Sequence, residues 1–248
     1  MPAEITRATI VIKRRPVIRA LLVCMSLLIV AGLAVNFLTW SLGNDFLQEH
    51  HLHGLVQKFN LDEEDNLPNW FSTICLFLCA GALAVIALEE WGRKAPLRVY
   101  WFILMGTFVL LSLDEAASFH EMIIGPLRSA LHTGGIFYFA WVLPGGLFVL
   151  GFLLAFWRFL GRLPSEARRD FLVSGFVYCS GALVMEMIDG RYMALHGPDL
   201  KYWLMTTLEE SLEMAGEILF LRSLLAYLAD HVGSLTVEWP KDPSRIKD

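Results

Sequence analysis

Six stretches of apolar sequence, Val17–Trp40, Trp70–Trp91, Leu97–Ser118, Ile136–Leu160, Phe171–Asp189 and Trp203–Leu228, are each long enough to cross a membrane. A helix rises ~1.5 Å per residue, so a hydrocarbon core of ~30 Å takes about 20 residues. Backbone N–H and C=O groups find no water in lipid, so segments of this kind must be helices. The expected fold is all-α: a polytopic integral membrane protein, a six-transmembrane-helix bundle forming one domain over residues 1–248, with 229–248 as a cytoplasmic tail. Charged residues are 18% and hydrophobic ones 56% of the 248, far from the roughly quarter and half of a soluble domain. That excludes an ordinary soluble globular protein.

Basic loops translocate poorly, so the distribution of Lys and Arg orients the bundle. The N-terminus, the second and fourth loops and the tail hold sixteen of them, among them Arg14, Arg15, Arg93, Lys94, Arg168 and Arg169. The opposite side holds four, Lys58, Arg128, Arg191 and Lys201. Both termini are therefore expected in the cytoplasm, in the plasma (inner) membrane if the chain is bacterial. The first apolar run is too long for a signal peptide, and no convincing small-x-small cleavage site precedes Asn36, so it is expected to stay as the first span. The net charge of −5 and the lack of a basic face with interleaved aromatics set nucleic acid aside. Cys24, Cys75, Cys79 and Cys179 lie in apolar runs and read as packing residues rather than as disulfides or a zinc motif.

Carboxylates within the spans carry the chemistry. Span three has Asp114 and Glu115, span five Glu186 and Asp189, and span six Glu209, Glu210, Glu213 and Glu217. An ionisable residue at the centre of a spanning helix costs about 2.5–3.5 kcal/mol on insertion scales, and such residues are generally functional. The helical rise places Asp114, Glu186, Glu210 and Glu213 in one layer of the outer half of the bilayer. Glu210, Glu213 and Glu217 share one face of span six, and Asp114, Ser118 and Glu121 share one of span three. These stripes are expected to face one interior pocket.

Few basic residues lie on that side, so protons or bound cations must neutralise the acids. The candidate metal ligands are Asp114, Glu115, His120, Glu186, Glu210, Glu213 and Glu217, with Glu213 central. Oxygen ligands suit Mg, Ca or Mn, and an imidazole such as His120 shifts the preference toward Fe, Mn or Zn. Glu89 and Glu90, beside Arg93 and Lys94, read as interfacial charges.

The longest loop, Ser41–Asn69, is expected to hold a short amphipathic helix on the outer surface, running through Phe46, Leu47, Leu55 and Phe59. Its His50, His51 and His53 with Asp62, Glu63, Glu64 and Asp65 read either as a metal-collecting patch or as a solvated turn before Pro68. An EF-hand is excluded, because the glycine and the distal glutamate are missing. No GxSxG, HExxH, Walker or GxGxxG motif is present, nor the Glu-x-x-His of di-iron bundles.

Three functions stay open at this level. One is a transporter or channel component with an outward-facing site for a divalent metal or protons. Another is a membrane-embedded metal-dependent hydrolase or oxidase acting on a lipid-like substrate at the outer leaflet, with Glu186 or Glu121 as general base. The last is a noncatalytic assembly or sensing partner. The inner halves of the spans carry few polar residues besides Ser174, Ser180 and Ser223, which favours a one-sided site. The expected partners are the lipid bilayer and a second copy or another membrane protein, since six spans are few for a solitary carrier.

Overall fold

The computed structural model describes residues 5–10, 13–231 and 235–240. Helix α1 (Arg14–Leu42) is followed by two short helices, α2 (Asn44–Glu49) and α3 (His53–Gln57), then α4 (Leu67–Gly92), α5 (Arg98–Ala117) and α6 (Phe119–Leu131). After a 3₁₀ turn at Gly135–Phe137 come α7 (Val142–Arg162), α8 (Ser165–Cys179), a π-helical turn at Ser180–Met185, α9 (Glu186–His196) and α10 (Leu200–His231). Five segments are long and apolar enough to cross a membrane: α1, α4, α5, α7 and the continuous stretch Ser165–His196. They coincide with the first five apolar runs of the sequence. Helix α10 is as long, at 32 residues, and carries the acidic stripe.

Two elements depart from an all-helical chain. Strand β1 (Ile5–Ile10) pairs antiparallel with β2 (Leu235–Pro240), Ile5 opposite Pro240 and Ile10 opposite Leu235. Part of the expected tail is thus a ribbon with the N-terminal segment; residues 241–248 lie outside the described residues. The signal was present as β-branched alternation in Ile-Thr-Arg-Ala-Thr-Ile and Leu-Thr-Val-Glu-Trp, short enough to be overlooked beside the long apolar runs.

Helix α10 is the hub, packed against α1, α4, α8 and the π turn, while α4 runs along α5. Apolar surface gains little by leaving lipid, so contact between spans relies on close packing, and small residues permit it. Ser72, Cys75, Cys79 and Ala82 are buried along α4, and all four cysteines of the chain are free thiols. Gly216 of α10 lies on the backbone of Tyr178, and Gly181 lies on the backbone of Glu209. At the end of the bundle away from the acids, Trp101 packs edge-on against Phe159 at 4.9 Å and tilted against Tyr227 at 4.9 Å, and Phe108 stacks on Phe220 at 4.6 Å. There Arg93 bonds Glu89 and the carbonyl of His231, tying α4 to α10.

The first loop holds two short helices rather than one amphipathic helix. The chain breaks at His51, where φ is +56°, and folds inward: Leu47, Val56 and Leu61 are buried, and Leu61 rests on Gly32 of α1. A pronounced amphipathic helix is instead α6, which presents Phe119, Met122 and Ile123 outward. It exists because Ser118 adopts a left-handed conformation (φ +50°, ψ 40°) and ends α5. Helix α9 carries the fifth segment seven residues past Asp189, to His196.

Candidate functional site

Between α5, α7, α8 and α10, beneath the first loop, lies a cavity of about 720 Å³. Ten carboxylates line one end: Asp62 and Glu64 of the loop, Asp114, Glu115, Glu121, Glu186, Glu209, Glu210, Glu213 and Glu217, together with His120. Among the described residues, no Lys or Arg lines it. All seven metal-ligand candidates from the sequence, and Glu121, line this one cavity; the expected stripe of Asp114, Ser118 and Glu121 is split, because α5 ends before Ser118 and Glu121 belongs to α6. The rest of the lining is largely apolar and includes Phe156, Phe159, Phe171 and Phe220.

The most compact donor set at the acidic end is Glu64, His120 and Glu121, whose ligand atoms all lie within 4.8 Å of one another. Its geometry starts at Ser118. The break redirects the chain between α5 and α6, so that Asp114 accepts the His120 backbone N–H at 3.0 Å and faces the ring Nδ1 at 2.8 Å. Asp114 thereby does for α6 what an N-cap does, and it fixes the imidazole with Nε2 free to ligate. A carboxylate behind a histidine is the usual outer partner of a metal-bound imidazole. Asp114 is held in that role, and Glu115, Glu186, Glu210, Glu213 and Glu217 line the cavity outside the compact set. His50, His51 and His53 stay apart from it; His50 instead bonds the carbonyl of Phe46.

Glu64 is the residue that sequence reasoning placed only in a loose loop patch. It arrives because Asn66 caps α4, its Oδ1 accepting the Asn69 N–H at 2.8 Å while its Nδ2 donates to the carbonyls of Asn60, at 2.7 Å, and Glu63. Asn69 then donates to Glu64 at 2.6 Å and to the carbonyl and carboxylate of Glu115, stitching loop to span. The signal available was the cap signature Asn66-Leu-Pro-Asn, which fixes the acidic run at the head of a helix. Asn66→Ala is expected to destabilise the protein by about 1–2 kcal/mol, the range of a lost cap. Hydrogen exchange over residues 60–65 should rise with it; unchanged protection there would show that the cap does not hold the loop.

Deeper in, the Trp141 indole N–H donates to Glu186 at 2.6 Å, and its ring lies 4.9 Å from that of His120. Trp141 thus spans the gap between Glu186 and the compact set. Glu217 accepts from Ser72 at 3.2 Å. Glu209, only 6% exposed, faces the carboxyls of Glu186 and Asp189. Buried Asp189 lies behind the cavity wall, and apart from the carboxyl of Glu209 neither of its oxygens has a hydrogen-bond partner among the described residues. The π turn at Ser180–Met185 is the local device that lets Gly181 lie on α10 just before Glu186. Such turns recur at functional sites.

Electrostatics outside the spans follow from this geometry. Burial alone would lower the pKa of His120; the hydrogen bond and charge of Asp114, with Glu64 and Glu115, outweigh it and push the ring up to about 9. Burial lifts Asp62 from 3.8 to about 7, against a hydrogen bond from Tyr202 that lowers it. Burial also raises Glu64 and Glu121; the charge of Glu121 adds to the rise at Glu64, and His120 opposes both. All four groups hold protons more tightly folded than unfolded, so the folded metal-free protein binds more protons, and its stability falls as pH rises. The Asp62 contribution is complete below 3.8 and lost through about 7. The His120 contribution is complete below 6.5 and lost through about 9. Chelated protein should therefore melt at progressively lower temperature from acid pH to about 9, and His120→Gln should flatten the alkaline part. A melting temperature that climbs across the alkaline range in chelator would contradict the assignment.

Residues 21–228 match a family described as a domain of unknown function, DUF8692, and the chain belongs to that family. No curated protein and no solved structure matches the chain.

Proposed function

We propose that the protein is a membrane-embedded, metal-dependent hydrolase that acts on an amphiphilic substrate at the outer leaflet, with Glu64, His120 and Glu121 holding a divalent cation. The observation that carries this reading is the joining, in one cavity, of a donor set for a cation and an apolar chamber. Three protein ligands with the remaining positions open are the pattern of a catalytic rather than a structural metal site. One imidazole with two carboxylates suits Zn, Mn or Fe better than Ca or Mg. A cation held by Glu64, His120 and Glu121 would supply Lewis acidity for the activation of water, and Glu186, held by Trp141, would serve as the general base and acid. Hydrolysis is the chemistry such a centre can perform with water as its one co-reactant. A transport route is less well supported, because the lining beyond the acids is apolar, with Phe156, Phe159, Phe171 and Phe220, and offers an ion few polar groups.

In this reading α10 is a sixth span, whose acids are shielded from lipid by α1, α4 and α8. The β1–β2 ribbon supports it, since pairing of the two ends of the chain requires them on one side of the membrane and hence an even number of crossings. The Lys and Arg distribution makes that side the cytoplasm. A reporter active only in the cytoplasm should give signal when fused at Pro164 and none at Glu64; the reverse pattern would overturn the orientation.

The functional reading is tested by chelating the purified protein and following its melting with Mg, Ca, Mn, Fe(II) and Zn added singly. A cation at 100 times its Kd stabilises a folded protein by about 2.7 kcal/mol. Selective stabilisation by one or two of the transition metals, lost in Glu121→Gln, is the expected result. The proposal fails if no cation stabilises, or if Glu121→Gln responds like the wild type.

A further inference from the structure

We infer that the substrate is a long-chain amphiphile whose head group carries no negative charge and offers hydrogen-bond donors, of the amine or hydroxyl kind, and that its chain reaches the cavity between α7 and α8. This rests on the cavity being the substrate site proposed above. The head-group chemistry follows from the walls. Ionised carboxylates accept hydrogen bonds and do not donate them; phosphate-bearing ligands are held by Arg and Lys, and the cavity wall has neither among the described residues. One cation on Glu64, His120 and Glu121 leaves Glu209, Glu210 and Glu213 lining the same space; Glu209 shares hydrogen bonds with Glu186 and Asp189, and Glu210 and Glu213 receive no N–H or O–H from the described residues. Glu209 is nine-tenths buried, at 6% exposure, and lines the cavity. A donor-bearing head group is the complement such side chains call for; an anionic one would find no basic side chain among the described lining residues.

The tail is read from the other end. The apolar wall on α5 runs from Glu115 down to Leu104, ~16 Å at the helical rise and so about the depth of one leaflet of a ~30 Å core. The volume of about 720 Å³ lies within the roughly 300–1,000 Å³ of small-molecule sites. Four of the lining residues are themselves open to the outside: Phe148 (54% exposed) and Leu153 (46%) on α7, Leu172 (46%) and Phe176 (75%) on α8. The side opening they frame is apolar, which admits a chain from lipid.

The test uses the full-length protein in lipid nanodiscs and three photoreactive probes of equal chain length, each with its reactive group near the chain end, bearing an amine, a hydroxyl or a phosphate head. The amine and hydroxyl probes should label the facing parts of α7 and α8, and excess unlabelled long-chain alcohol should suppress that labelling. The phosphate probe should label there about tenfold less, a difference of ~1.4 kcal/mol. Gly175 lines the cavity, and a Cβ there would meet open space, so Gly175→Leu should cut labelling about tenfold, again ~1.4 kcal/mol, with bound cation unchanged. Equal labelling by the phosphate probe, or labelling that resists competition, would overturn the inference; these wild-type arms decide it even if Gly175→Leu does not fold. A protein without cation that keeps the head-group ranking would remove the hydrolase reading and leave this one standing. A stoichiometric cation with the ranking reversed would do the opposite.

Discussion

Replacing His120 with alanine is expected to lower divalent-cation affinity by roughly two orders of magnitude or more and to remove cation-dependent stabilisation. The loss of an outer-shell partner alone costs about 10–100-fold, and this change removes a ligand and strands its partner. Asp114 loses its ring contact at 2.8 Å, leaving a carboxylate that bonds only the backbone N–H of residue 120 at 3.0 Å. Asp114→Asn should fall in the range of about 10–100-fold, because the imidazole remains but is no longer held by charge. Competition with a chelator of known affinity reads both. If His120→Ala binds within about threefold of the wild type, a difference of about 0.65 kcal/mol or less, the compact set is not the centre.

The largest structural effect is expected at Gly216. A Cβ there would lie 2.6 Å from the backbone nitrogen and 2.7 Å from the Cα of Tyr178, against main chain that cannot rotate away. Overpacking typically costs about 1–3 kcal/mol, occasionally more, and backbone against backbone belongs at or above the top of that range. Gly216→Ala should therefore destabilise by about 3 kcal/mol or more and separate α10 from α8, carrying Glu213 and Glu217 out of register with the cavity. Gly175→Ala is the control: its Cβ meets nothing within 4 Å, and helix propensity favours alanine by about 1 kcal/mol. Denaturation of the two variants in the same lipid should show opposite signs. Equal melting would mean that α8 and α10 are not packed through this glycine.

The division between what the sequence discloses and what it hides has physical causes. Spans follow from uninterrupted apolar length, and the convergence of Asp114, Glu186, Glu210 and Glu213 follows from helical spacing in a medium where acids must face inward. Both depend on neighbours within one helix. Glu64 was hidden because its place depends on Asn66 capping one helix and Asn69 reaching another, a three-body arrangement with no period. The change of direction between α5 and α6 hinges on a single left-handed serine, a residue type that gives no such warning. The two short loop helices replaced an amphipathic one because Leu61 finds Gly32 across the chain, a contact between distant positions. Helix α10 is legible as an apolar run of spanning length, Trp203–Leu228, but its acidic stripe keeps it out of the segments apolar enough to cross a membrane: the carboxylates replace apolar residues that a lipid-facing helix would carry.

The measurement that bears most directly on the central claim is the metal content of protein purified from membranes without added metal, compared with the triple variant Glu64→Gln, His120→Gln, Glu121→Gln. The account predicts close to one transition-metal ion per wild-type chain and none in the variant, with both proteins folded. Wild-type protein free of metal at every pH, or a triple variant that keeps its metal, would contradict it.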